Sequence, residues 1–120
     1  MTELIKPQEP EELYVIWTSR DREVALKMVF MYTGNSKLKS WWKDVHLIVW
    51  GPSATLLAED FELQEYVMGM RHNGVDIVAC KACSDSYGVT EKLESLGIEV
   101  KYMGLPLTEL LKAGKTLITF

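Results

Sequence analysis

Five short apolar runs, rich in β-branched and aromatic residues, recur along this chain and are separated by segments of helical character. They are "ELYVIWT" (12–18), "DVHLIVWG" (44–51), "VDIVAC" (75–80), "IEVKYM" (98–103) and "KTLITF" (115–120). The first two lack a clean alternation of apolar and polar residues, so they read as strands buried on both faces. The resulting order is β-α-β-α-β-α-β-α-β with short links. Such alternation predicts an α/β domain: a five-stranded, mainly parallel sheet, helices on both faces and right-handed crossovers.

The spacers carry their own punctuation. After the first run, Thr18 and Asp21 stand at capping-box spacing, and Val24, Leu26, Met28, Val29 and Met31 supply an apolar face. Gly34-Asn35 is the expected stop. After the second run, Pro52 turns the chain and Ser53 is a candidate cap. The helix that follows runs to Asn73-Gly74 with a break near Asp60. A short helix over 81–87, a break at Gly88, and a helix over 90–96 closed by Gly97 fill the third spacer. Pro106 is expected to open the last helix and Gly114 to close it. The opening "MTELIKPQEPEE" (1–12) is polar and acidic. It reads as a mobile lead-in to one domain over 13–120, and it lacks the pattern of a secretory signal.

In parallel sheets, functional groups gather at the carboxyl ends of the strands. Those ends are Thr18-Ser19-Arg20, Gly51-Pro52-Ser53, Cys80-Lys81 and Met103-Gly104. Both cysteines of the chain, Cys80 and Cys83, fall at the third of them in "IVACKACSDSYGV" (77–89). Three readings stay open from the residues alone. A Cys-x-x-Cys at a strand-to-helix junction fits a dithiol redox pair, although in thioredoxin-like chains it follows the first strand and faces a cis-proline. A closed zinc site wants four ligands, and besides the cysteines there are only His46, inside a strand, and His72, at the far end of a helix. A single reactive thiol asks for less. Cys80 precedes a helix whose N–H groups favour thiolate, with Lys81 adjacent and Arg20 one loop away on the same edge. The plain alternative is that Cys80 packs as a small hydrophobe. Cys83, one helical turn on, either fills space against the sheet or faces Cys80.

Other activities find little footing. A net charge of -4 argues against non-specific nucleic-acid binding, and no apolar stretch approaches the length of a bilayer span. "KLKSWWKD" interleaves tryptophan with lysine, but with this charge Trp41 and Trp42 read as packing, one over the sheet end and one towards a neighbouring subunit. "WTSRDR" lacks the glycines of a phosphate loop. No Ser-His-Asp set assembles, and no cofactor or metal is implied. Two cysteines without a signal sequence fit a cytosolic protein with reduced thiols.

Taken together, "VHLIVWG" and "MRHNGVDIVACKACSDSYGV" through "LGIEVKYMG" resemble the DsrE/DsrF-like family, which includes TusD-type sulfur-relay subunits. Gly51, Gly74, Ala79, Cys80, Gly88 and Val89 stand where the family pattern places them, and the likeness runs from Tyr14 to Phe120. The resemblance implies a three-layer α/β/α fold. It implies a persulfide carried on Cys80, accepted from one protein and handed to another, and a homo-oligomer, trimer or hexamer. Ser19, Arg20, Gly51, Ser53 and Lys81 would support that thiol. One departure stands out: relay subunits have small apolar residues after the cysteine, whereas this chain has Lys81, Ala82 and Cys83. A thiol there could resolve a persulfide on Cys80. The reading set against sulfur transfer is a non-catalytic oligomeric scaffold or small-ligand subunit with structural cysteines.

Overall fold

The computed structural model describes residues 11–120. The strands are β1 (Glu12–Trp17), β2 (Asp44–Val49), β3 (Asp76–Cys80), β4 (Glu99–Lys101) and β5 (Thr116–Thr119). They form one sheet in the order β4-β3-β2-β1-β5, and every pairing is parallel. The first ten residues of the lead-in lie outside the described residues. Glu12 is the first residue of β1, and the Glu11 carbonyl accepts from the amides of Lys43 and Asp44.

The strand order decides which face each helix covers. The chain steps in one direction from β1 to β4, so right-handed crossovers put their helices on one face. It then returns across the whole sheet to β5, and the same handedness sends that crossover over the other face. The first layer holds α1 (Arg22–Val24), a π-helical turn (Ala25–Val29) and α2 (Phe30–Leu38). It also holds α3 (Ser53–Glu59), α4 (Phe61–His72) and α6 (Thr90–Ser95). Leu13, Val15 and Trp17 of β1, Val45, Leu47 and Val49 of β2, and Ile77 and Ala79 of β3 meet this layer in one large core. Residues of the opposite parity point the other way. Ile16, Ile48, Val78, Cys80 and Met103 form a smaller core under α7 (Gly104–Lys112), which contributes Leu107 and Leu110. α5 (Lys81–Tyr87) sits at the carboxyl edge of the sheet.

The two cores are unequal. α7 has no fully buried residue, and Leu105 and Leu111 on it are exposed. Beneath it a groove of about 410 Å³ runs along the sheet, from Tyr14, His46 and Asp76 to Val78, Lys101 and Met103.

Several boundaries differ from the sequence reading, each for a physical reason. Asp21, not Thr18, caps the first helix, its carboxylate accepting from the amides of Glu23 and Val24 at 2.8 and 3.1 Å. Thr18 instead donates its hydroxyl to the Phe120 carbonyl, closing β1 onto the end of β5. α2 runs through Gly34-Asn35 to Leu38, because packing against α4 holds it: a Cβ at Gly34 would lie only 3.8 Å from Met70. Ser53 is inside α3, and its hydroxyl donates to the Trp17 carbonyl at 2.6 Å. α7 starts at Gly104, with Pro106 in its first turn. The break at Asp60 is present, and its carboxylate caps α4 at the Leu63 amide. Gly88 ends α5 at φ +71°, a left-handed conformation that favours glycine.

At the amino edge of the sheet, polar groups bridge the strands. Glu12 accepts from Lys115 at 2.9 Å and lies 3.1 Å from a ring nitrogen of His46, whose other nitrogen is 2.9 Å from Asp76. His46 also stacks on Tyr14 with ring centroids 4.2 Å apart. The Lys115 ammonium first, then His46, holds the Glu12 carboxyl below its ordinary value. A depressed carboxyl contributes stability above its unfolded pKa and loses it as pH falls through the folded one. Glu12→Gln is therefore expected to lower the urea midpoint at pH 7 and to leave it unchanged at about pH 2, where both forms are uncharged. An equal gap at both pH values would show that the contact acts through packing alone.

Candidate functional site

Cys80 is the last residue of β3, and its even register in the sheet turns its side chain to the α7 face. It is 4% exposed, packed among Ile16, Ile48, Val78 and Met103. The backbone then turns directly into α5, with Cys80 as its N-cap. Cys83, one turn on, packs against the same cluster and is partly exposed. Cys83 thus shares one apolar cluster with the Cys80 side chain. Burial pushes the Cys83 thiol up from its ordinary value; the Gly51 amide opposes this and the Cys80 sulfur adds to it. Gly51 reaches this position through a turn at φ +74°, after Trp50, which also packs on the cluster.

The other sequence candidates reach the same edge but not the thiols. Arg20 hydrogen-bonds Thr55 and pairs with Glu59 at 3.0 Å. Lys81 pairs with Asp85 at 3.0 Å and lies over the Tyr102 ring. Asp85, itself held by Thr90 and then Lys81 below the usual carboxylate value, occupies the charge meant for the thiolate. Ser19 accepts from the Asp21 amide and shapes the turn before α1. Ser53 bonds to the carbonyls of Trp17 and Trp50, so it ties the ends of β1 and β2 together. Of the supporting residues, Gly51 is the one whose backbone amide bears on the ionisation of Cys83.

Two neighbours escaped the sequence reading. Met103 closes the cluster over Cys80. Lys101 stands opposite Cys80 in the β3–β4 register, its ammonium 3.6 Å from Glu99. The end of "IEVKYM" carried the signal for both, since adjacent parallel strands bring their carboxyl ends together. Among the described residues, no cluster of three or more His, Cys, Asp or Glu side chains is arranged to hold a metal ion. Trp42 packs on the main core and donates its indole N–H to the Tyr32 hydroxyl, while Trp41 is exposed.

A three-layer α/β/α domain with a five-stranded parallel sheet and a thiol pair at the carboxyl end of β3 defines a class of small α/β thiol proteins. The chain belongs to the DsrE/DsrF-like family, whose profile matches residues 18–120. It is similar to BT1422 of Bacteroides thetaiotaomicron, a conserved protein of unknown function. The two are 38% identical with a TM-score of 0.89, over 92% of this chain and 95% of that one. MTH1491 of Methanobacterium thermoautotrophicum, at 18% identity and a TM-score of 0.69, shares the fold over 91% of this chain and 97% of its own. So does YchN of E. coli, at 15% identity and 0.63, over 93% and 100%. No curated protein matches the chain.

Proposed function

We propose that this protein accepts sulfane sulfur as a persulfide on Cys80 and passes it to a protein or small-molecule thiol in the cytosol, where thiols stay reduced. The observation that carries this reading is a pair of free thiols packed on one apolar cluster at the carboxyl edge of a parallel sheet. Family membership supports it, since sulfur relay is associated with that family. The enclosure of Cys80 suits a carrier, because a persulfide held there is shielded from bulk thiols until Met103 or α7 gives way. A helix with no fully buried residue over a groove is an element from which such opening can come. The test is uptake of sulfur from inorganic polysulfide, read as a gain of one sulfur atom on the peptide containing Cys80.

One observation favours the other reading. A cysteine 4% exposed in an apolar cluster is also what a purely structural thiol looks like. The protein would then be a scaffold or a small-ligand subunit, and no donor would place sulfur on either cysteine.

In both readings the chain works as a homo-oligomer, a trimer or hexamer. Support comes from Tyr102, Leu105 and Leu111 on and beside α7, and from Met31, Phe61, Tyr66 and Met68 on the opposite layer, all of them exposed. Obligate interfaces are more apolar than ordinary surface. Light scattering is expected to return a multiple of the monomer mass at micromolar concentration. A monomer mass throughout that range would remove the proposal.

A further inference from the structure

We infer that Cys83 is a built-in resolving thiol that discharges a persulfide on Cys80, so that the chain limits the lifetime of its own sulfur load. The inference rests on the reading of Cys80 as sulfur acceptor. Its ground is geometric. Cys80 is enclosed, so external thiols reach it poorly, and the Cys83 thiol packs on the same apolar cluster, one helical turn away. Burial disfavours the Cys83 thiolate, the attacking form, and the Gly51 amide offsets part of that effect.

The step balances within the molecule. Cys83 releases its proton to solvent, and its thiolate attacks the inner sulfur of the Cys80 persulfide. A Cys80–Cys83 disulfide bond forms, and the bond from Cys80 Sγ to the outer sulfur breaks. The outer sulfur leaves as HS⁻, reduced by the electron pair of the broken bond, and takes up a proton in water. The sulfane sulfur is the oxidant, so none is needed from outside; a dithiol reductant reopens the pair.

The same contacts set the pace. Burial holds Cys83 towards the thiol form, the Gly51 amide pulls the other way, and the neighbouring Cys80 sulfur adds to the effect of burial. Discharge is therefore slow at neutral pH. It should quicken by up to about ten-fold per pH unit while the thiolate fraction is still small.

The experiment loads the full chain with inorganic polysulfide, removes the excess by rapid desalting, and follows intact mass and released sulfide over time at pH 7 and pH 8.5. The wild type is expected to lose one sulfur atom and end two hydrogens lighter than the reduced protein, with one sulfide released per disulfide formed. Cys83→Ser and Cys83→Ala should hold the added sulfur several-fold longer and never show the disulfide mass. Equal decay in wild type and both Cys83 variants overturns the resolver and leaves the acceptor reading standing. No uptake by wild type or by the Cys83 variants overturns both. Diamide oxidation of the unloaded protein supplies a separate check. Failure to form the Cys80–Cys83 disulfide, on peptide mapping, means that the sulfurs cannot bond, and this removes the resolver whatever the labelling shows.

Discussion

Cys80→Ser and Cys80→Ala are expected to bring sulfur uptake from polysulfide down to background, while Cys83→Ser still takes up one atom. A hydroxyl does not form a persulfide, and the remaining thiol of Cys83 is held towards the protonated form by burial, which slows its own uptake of sulfur. Two substitutions are needed because they disturb the site differently. Serine puts a hydroxyl among Ile16, Ile48, Val78 and Met103, at a cost of about 1–3 kcal/mol if it finds no partner. Alanine leaves a small void instead. If both variants melt as cooperatively as wild type and both fail to label, the loss belongs to the sulfur and not to the fold. If Cys80→Ala labels as well as wild type, on the peptide carrying Cys83, the roles of the two cysteines are reversed.

The largest loss of stability is expected at Trp17. This side chain is fully enclosed at the end of β1, edge-on to Phe30 with ring centroids 5.1 Å apart. Its carbonyl accepts from both the Ser53 hydroxyl and the Trp50 amide, which places it at the joint between β1, β2 and α3. Trp17→Ala should cost about 3–5 kcal/mol, from lost burial and the cavity left behind. That is a large part of the about 5–15 kcal/mol by which a domain of this kind is stable. Trp17→Phe should cost much less. The indole N–H is buried with no acceptor among the described residues, so phenylalanine gives up ring volume but also removes an unsatisfied donor. Urea unfolding of the two variants decides the point. Equal losses would mean that the N–H has a partner after all.

These two residues show how the information divides. Trp17 and Cys80 both end apolar runs, so their place at the carboxyl edge of a parallel sheet was legible in the order of runs and spacers. Asp60 and Gly88 were legible as breaks because their signals are local: a carboxylate that caps the next helix, and a backbone conformation that costs glycine little. The pairing of Lys81 with Asp85 was also open to reading, since four residues within one helix bring two side chains together. That pairing is the reason Lys81 does not serve the thiol.

The sequence by itself determined the α/β class, the number and parallel direction of the strands, the family pattern around Cys80, and the edge at which any chemistry would sit. Hydrophobic periodicity and turn residues act over a few positions, and those features need nothing more. Only the tertiary structure decided that α7 crosses the second face, because that follows from strand order and crossover handedness together. It also carried α2 past Gly34, through contact with a helix far along the chain. It committed Arg20 to Glu59, 39 residues away, and it packed Trp50 and Cys83 on the cluster that holds Cys80. Each of these depends on which distant segments pack side by side, and packing places polar and charged groups by whatever neighbour burial leaves within reach.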